Sequence, residues 1–400
     1  MSEQNTGLVP RLRFPEFREA GEWEERQLGD LCLEITNGKA NAEDHEEEGS
    51  YPLFDRSEII KRSNTFAFDA ETVILPGEGM RFQPKYYQGR FNLHQRAYAL
   101  MKHRCNARLL YYLMDHFSAK LAQNAVKSTV LSLRLPIIKK FEIPVPPKEV
   151  EQRKIASCLS SLDTLIAAQT DKLDALKTHK KGLMQQLFPR EGETVPRLRF
   201  PEFWEAGEWQ RKTLEKVSSA IFDGTHQTPA YTVEGIPFFS VENIVSGKAN
   251  KFISREDYLV ATSKNKPEKG DILITRIGKI GFSVVVDWDY AFSIYVTLAV
   301  IKKSEVFDSF YLNGYFQSER YQKEILANSL LTAVPCKINM DELRKTEILL
   351  PTIHEQQKIA ACLSSLDTLI AAQTDTLDAL KIHKQGLMQQ LFPSPDAVAA

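Results

Sequence analysis

Four hundred residues at about 150 per domain argue for two or three domains rather than one core. A composition of 43% apolar, 26% charged and 10% aromatic residues is that of an ordinary globular chain, which excludes wholesale disorder, a collagen-like repeat and a membrane bundle. Net charge is −1, from 51 basic and 52 acidic side chains, so any anion-binding surface has to come from local segregation of charge. The five cysteines, Cys32, Cys105, Cys158, Cys336 and Cys362, include no CxxC pair. A disulfide framework or structural zinc is therefore not expected, and a reducing cytoplasm is. The polar start MSEQNTG leads into no apolar run of the signal-peptide kind, and no stretch of 18 uncharged apolar residues suggests a membrane span.

Read from the N-terminus, the chain says everything twice. Residues 9–28, VPRLRFPEFREAGEWEERQL, return at 195–214 with 15 of 20 positions identical. Residues 151–189 return at 355–393 with 34 of 39 identical. The offsets are 186 and 204 residues, so the second intervening region is 18 residues longer. Two periods are too few for a solenoid, which needs about three repeats to bury a core. They suit a pseudo-dimer built within one chain. The expected order is a short block (1–28), a first globular domain (29–149) and a first long helix (150–189). A linker with the second short block (190–213), a second domain (214–353), a second helix (354–393) and a tail (394–400) follow.

The two globular regions share almost no identity but run parallel in pattern. SYPLFDRSEII (50–60) matches GIPFFSVENIV (235–245), and ETVILPGEGMRF (71–82) matches GDILITRIGKIGF (270–282). FNLHQRAYALM (91–101) matches AFSIYVTLAVI (291–301), and amphipathic stretches follow at 109–121 and 310–325. Short strand-like runs with Gly and Pro turns, then helices, predict an α+β domain in each half. Gly77-Glu78-Gly79 and Gly278-Lys279-Ile280-Gly281 lie between strand-like runs and read as hairpin turns rather than phosphate loops.

The first long block opens after the breaker run Pro144-Val145-Pro146-Pro147 and the second after Pro351, and each ends at proline, with apolar residues alternating four and three apart. The first seam is Ile155, Leu159, Leu162, Ile166, Leu173, Leu176, Leu183 and Leu187, with Gln169 and Lys180 at its two polar sites. The second is Ile359, Leu363, Leu366, Ile370, Leu377, Leu380, Leu387 and Leu391, with Gln373 and Lys384. Two such stripes predict a coiled-coil pair whose polar members set register. A surface helix packed on its own domain is the plainer alternative. His179 and His383 fall on the solvated flank, and Cys158 and Cys362 beside the seam.

Catalytic signatures are missing: no GxxxxGKS, HExxH, GxSxG or NPPY-like tetrad occurs. What remains are binding surfaces. Residues 81–108 carry Arg81, Lys85, Arg90, Arg96, Lys102, Arg104 and Arg108 with no Asp or Glu, interleaved with Phe82, Tyr86, Tyr87, Phe91 and Tyr98. Such a run suits a polyanion, and His94, Gln95 and Arg96 offer groups suited to base edges. The alternative is a solvated basic face whose aromatics belong to the core. The acidic run 43–48 is expected to face away. In the second region the polar loop Asp223-Gly224-Thr225-His226-Gln227-Thr228-Pro229 and the bases Arg276 and Lys279 are the candidates.

Two divergent domains, two near-identical helical blocks and duplicated PRLRFPEF segments resemble the specificity subunit of a type I DNA restriction–modification enzyme. Asp223-Gly224-Thr225-His226 followed by Gly235-Ile236-Pro237-Phe238 is similar to a pattern of that family's target-recognition domains, as is the Gly270-Asp271-Ile272-Leu273 run. The resemblance implies a non-enzymatic reader in which each domain binds one half of an asymmetric bipartite DNA target. It implies helices that space the domains and dock two adenine-N6 methyltransferase subunits, with two ATP-driven restriction subunits completing the assembly. This chain would hold no cofactor, with S-adenosylmethionine, ATP and Mg belonging to its partners. The DNA-contacting set expected on this basis is Arg81, Lys85, Tyr86, Arg90, His94, Gln95, Arg96, Thr225, His226, Gln227, Arg276 and Lys279. A coiled-coil scaffold binding proteins or small ligands, and a fused reader-methyltransferase, are the rivals.

Overall fold

The structure is a computed structural model that describes residues 8–127 and 129–394. The extreme ends of the expected N-terminal block and tail lie outside the described residues. The chain forms two compact units, Met1–Thr170 with Asp375–Ala400, and Asp171–Thr374. Each unit thus takes half of each long helix.

In the first unit, six strands form one sheet in the order β1 (Cys32–Asn37), β6 (Ala97–His103), β4 (Phe68–Pro76), β5 (Lys85–Leu93), β2 (Tyr51–Phe54), β3 (Lys61–Ser63). Strand side chains alternate between faces, and both faces are apolar in the middle of the sheet. Val73, Leu75 and Leu100 face helix α1 (Ala107–His116), whose Leu109, Leu110 and Leu113 fill the main core. Ile74, Ala99 and Met101 join Phe54, Phe91 and Leu93 in a second cluster. Asn106 caps α1 by accepting from the Leu109 amide at 3.0 Å.

The second unit repeats this plan with its sheet divided. One sheet has the order Ile221–Asp223, Leu298–Ile301, Ile272–Thr275, Ser283–Val285; the other includes Ile236–Phe239 beside Ser293–Ile294. Residues 286–292 interrupt what is a single strand, β5, in the first unit: Val286 turns back to exchange backbone hydrogen bonds with Gly270 and Asp271. Here too Ile272 and Ile274 enter one core and Leu273 the other. Gly278–Gly281 lies in the short connection between antiparallel neighbours, whereas Glu78-Gly79, expected in a hairpin turn, pairs with Leu131-Ser132 within the longer connection from Pro76 to Lys85.

The long blocks are helices of 39 residues, α2 (Glu149–Leu187) and α3 (Ile353–Leu391), about 58 Å each at 1.5 Å per residue. In the first unit Ile155, Ala156 and Leu159 near the start of α2 share a core with Met388 and Leu391 near the end of α3. In the second, Leu187 at the end of α2 meets Ile359, Ala360 and Leu363 near the start of α3. The helical halves therefore run antiparallel within each unit. All sixteen seam residues are buried or half-buried, whereas the off-seam Leu165, Leu369 and Ile382 are exposed. The seam lysines are paired: Lys180 with Asp367 in the second unit, Lys384 with Asp163 in the first.

The repeated blocks also pin each helix start to its own domain. Arg13 grips Glu151 through two bonds of 2.7 and 2.8 Å, and its counterpart Arg199 grips Glu355 at 2.8 and 2.7 Å. Gln152 accepts from the Asn106 amide and Gln356 from the Asp308 amide, each at 2.9 Å. No helix among the described residues is long and apolar enough to cross a membrane.

Candidate nucleic-acid interface

At one end of each sheet three connections converge. In the first unit they are the loop 37–41, the turn 77–81 and the turn 94–97. The loop is laid on the sheet by Gly38, where a Cβ would stand 1.7 Å from the Leu93 carbonyl oxygen. No residue but glycine fits so close an approach. The Ala40 amide donates to Leu93 at 3.1 Å, the Gln95 amide to Ala40 at 3.0 Å and the Gly77 amide to Arg96 at 2.8 Å.

The second unit builds the same cluster from 223–229, 276–280 and 295–297. Gly224 would place a Cβ 2.1 Å from the Ile294 oxygen. The Thr225 amide donates to Ile294 at 3.1 Å, Val296 to Thr225 at 3.0 Å and Arg276 to Thr297 at 2.9 Å. The 37–41 loop was not singled out by sequence, although the 186-residue offset of the short block sets Asn37-Gly38 opposite Asp223-Gly224. That offset was the available signal.

The structure redistributes the expected contact residues. The basic stretch 81–108 is not uncompensated, because acids from other segments reach it. Arg90 pairs with Asp69 at 3.2 Å, Arg96 with Glu78 at 2.9 Å and Lys102 with Glu34 at 2.9 Å. Lys85 is half-buried and donates to the Ser57 carbonyl, and burial holds its ammonium below the usual lysine range against the pull of Asp55 and Glu58. Tyr86 donates to Glu71 at 2.6 Å under the Arg108 guanidinium, and burial with that carboxylate raises its phenol. Tyr86 and Arg90 are therefore tied to carboxylates of β4, while Lys85 is tied to the loop after β2, whose Arg56 stands 3.7 Å from Glu78.

His94, Gln95 and Arg96 do sit in the converging turn. His94 Nδ1 accepts from the Arg96 amide at 3.1 Å, and Gln95 donates to Asn41 at 3.0 Å. Burial depresses the His94 imidazole. Arg81 is exposed in the neighbouring turn with no carboxylate partner among the described residues. The acidic run is not wholly turned away, since Asn41, which holds Gln95, also takes Asp44 as its cap partner.

In the second unit Thr225, His226 and Gln227 occupy the loop, with His226 and Gln227 exposed. Lys279 is exposed in the adjoining turn over the Phe282 ring at 5.1 Å. Arg276 is the correction. It is 7% exposed, bonded to Asp223 at 3.0 Å and to the carbonyls of Val296 and Ile338 at 3.0 and 3.3 Å, so its charge is spent inside the protein. Among the described residues no cluster of three or more His, Cys, Asp or Glu forms a metal site.

Comparison with known proteins matches residues 20–178 and 207–381 to the type I restriction modification DNA specificity domain. The type I restriction enzyme MjaVIII specificity subunit of Methanocaldococcus jannaschii is 26% identical over 416 residues, covering 98% of this chain and 95% of that one. The EcoDI specificity subunit of Escherichia coli is 33% identical over 146 residues, 36% of this chain and 32% of that one. Among solved structures, the S subunit of a type I system from M. genitalium superposes with a TM-score of 0.69 at 18% identity, covering 96% of this chain and 99% of that one. A chain from a study of assembly and conformational transition of the type I R-M system gives 0.54 at 18% identity, covering 93% and 98%.

Proposed function

The chain belongs to the type I restriction modification DNA specificity family, and from that premise we propose that it is the sequence-recognising subunit of a type I restriction–modification complex. Each unit reads one half of a bipartite, asymmetric DNA target through its three converging connections. The observation that carries this reading is the double construction of one loop cluster on two unrelated sequences: the same backbone bonds hold 37–41 and 223–227, while the side chains they present differ. A shared frame with divergent contents is what two readers of different half-sites require. Phosphate contacts would position the frame, and base-edge contacts would specify.

The chain itself reads and does not catalyse. Methylation, with its S-adenosylmethionine, belongs to two modification subunits, and ATP-driven cleavage, with its Mg, to two restriction subunits, in the cytoplasm. The seams of α2 and α3 interlock as a coiled-coil pair that spaces the half-sites and presents docking surface to the modification subunits. Burial of the seam and its crossed lysine–aspartate pairs support that pairing, because polar seam residues with a single partner specify register. A scaffold for proteins or small ligands is not favoured, given the specificity subunits among its relatives.

The test is a genome-wide map of N6-methyladenine in cells carrying this chain and its modification partner. A single bipartite motif with a constant spacer is expected. Exchanging residues 30–145 for those of a related subunit should replace one half-site and keep the other. Methylation without a defined motif would refute the reading.

A further inference from the structure

The two units fasten the recognition loop to its neighbouring turn by different chemistry at the same point. In the first unit the Asn37 side-chain Nδ2 donates directly to the Gln95 backbone carbonyl at 3.1 Å. In the second, the residue at that place is Asp223, whose carboxylate has no proton to give to the matching carbonyl, that of Val296. The two turns correspond bond for bond: His94 donates to Phe54 as Tyr295 donates to Phe239, both at 2.8 Å.

Arg276 supplies what Asp223 lacks. Its Nη1 lies 3.0 Å from Asp223 Oδ2 and 3.0 Å from the Val296 oxygen, and its Nε donates to Ile338 at 3.3 Å. The guanidinium side chain is 9% exposed and the Asp223 side chain 22%. The same Asp223 oxygen stands 3.1 Å from Nε2 of the exposed His226. A buried cation is thus linked through one carboxylate to a side chain on the reading surface.

We propose that Arg276, acting through Asp223, is the positioning residue that sets the 223–229 loop for reading the second half-site, and that Asn37 does the same work in the first unit. The proposal rests on the DNA-reading function above. A charge-assisted hydrogen bond is shorter and stronger than a neutral one, so the second loop is held more firmly than the first. On this reading Arg276 acts from inside the protein and not by contact with DNA. Its loss should change which bases are read and leave the number of phosphate contacts unaltered.

The experiment uses the full chain assembled with its modification subunits, and three variants: Arg276→Met, the double variant Asp223→Asn/Arg276→Met, and Asn37→Ala. Arg276→Met should cost about 10-fold or more in discrimination at the second half-site, with the first half-site unaffected and the salt slope of binding unchanged. The double variant places an amide opposite the Val296 carbonyl, as in the first unit, and should restore most of that discrimination. Asn37→Ala should impair the first half-site alone. Amide hydrogen exchange across 223–229 in the unbound chain should quicken in Arg276→Met and slow again in the double variant.

Unchanged discrimination and exchange in Arg276→Met would overturn the proposal. So would a shallower salt slope that the double variant fails to restore, because that result marks a direct phosphate contact. If Arg276→Met loses the fold of its unit, Asn37→Ala decides alone, and an unaffected first half-site then refutes the idea. Absence of selective binding by the unmodified assembly would refute the DNA-reading function, while the exchange measurement still tests the tie.

Discussion

Arg13 and Glu151 meet 138 residues apart in sequence, two bonds of 2.7 and 2.8 Å joining a guanidinium and a carboxylate that are both almost completely withdrawn from water. The arginine also donates to the Gly21 carbonyl at 2.6 Å, so the short block is clamped to the start of α2. Removing one partner of a buried pair strands a charge, whereas removing both removes the desolvation cost as well.

Arg13→Ala should therefore destabilise the first unit by about 3–5 kcal/mol, measured by urea unfolding. Arg13→Met/Glu151→Leu should fall much nearer to the unaltered protein. Equal losses in the single and double variants would show that the block is held by packing alone.

The crossed lysine–aspartate pairs differ between repeats in a way that predicts unequal mutants. Asp163 takes both Lys384 and the Tyr112 hydroxyl, while Asp367 takes Lys180. Asp367→Asn should cost about 0–1 kcal/mol, the usual value of a partly exposed pair. Asp163→Asn should cost about 1 kcal/mol more, because a hydrogen bond to a charged acceptor is weakened too. Thermal or urea unfolding of both variants gives the comparison; equal costs would contradict it.

The redistribution of charge in the first unit alters which side chains should govern salt dependence. Arg81 and Lys39 are exposed and lie in two of the three converging connections, while Lys85 is tied to Ser57. Arg81→Ala and Lys39→Ala should each lower the slope of log K against log salt by about 0.9, and Lys85→Ala should leave it unchanged. Titrations of a bound duplex between low and moderate salt decide the matter.

Acid should weaken the first unit through His103 and His116. Burial holds both imidazoles below their ordinary range, the Pro393 carbonyl opposing it at His116, and His103 Nε2 has no hydrogen-bond partner among the described residues. Above the ordinary histidine value of about 6.5 both are neutral in the folded and unfolded chain. As the pH falls below it, the unfolded chain gains protons that the folded chain refuses, so stability declines until the depressed folded values are reached. Unfolding measured between pH 7 and pH 5 should show this decline, and a His103→Gln/His116→Gln variant should flatten it.

The elements that sequence made legible are those with a strong local period. The seam leucines marked both long helices to within a few residues, and ETVILP and AYALM lie in strands β4 and β6 as their apolar runs required. What escaped was pairing between distant segments. Asp69 stands directly opposite Arg90 only because β4 and β5 pair in that register, and nothing local foretells it. The burial of Arg276 is hidden for the same reason: its partners Asp223, Val296 and Ile338 come from three separate connections. A charge in a list of residues carries no sign of whether water or protein receives it.

The division of each long helix between two units has a consequence for the order in which the protein is made. The second unit is one continuous run, Asp171–Thr374, while the first is interrupted by it and takes Met388, Leu391 and Phe392 into its core. The usual order on the ribosome, N-terminal domain first, therefore cannot complete the first unit before the second has been synthesised. The first unit lacks Met388, Leu391 and Phe392 of its core until the last helix has emerged, whereas every residue of the second unit is synthesised before that helix ends. A chain ended after residue 374 and released would thus carry every residue of the second unit and lack Met388, Leu391 and Phe392 of the first.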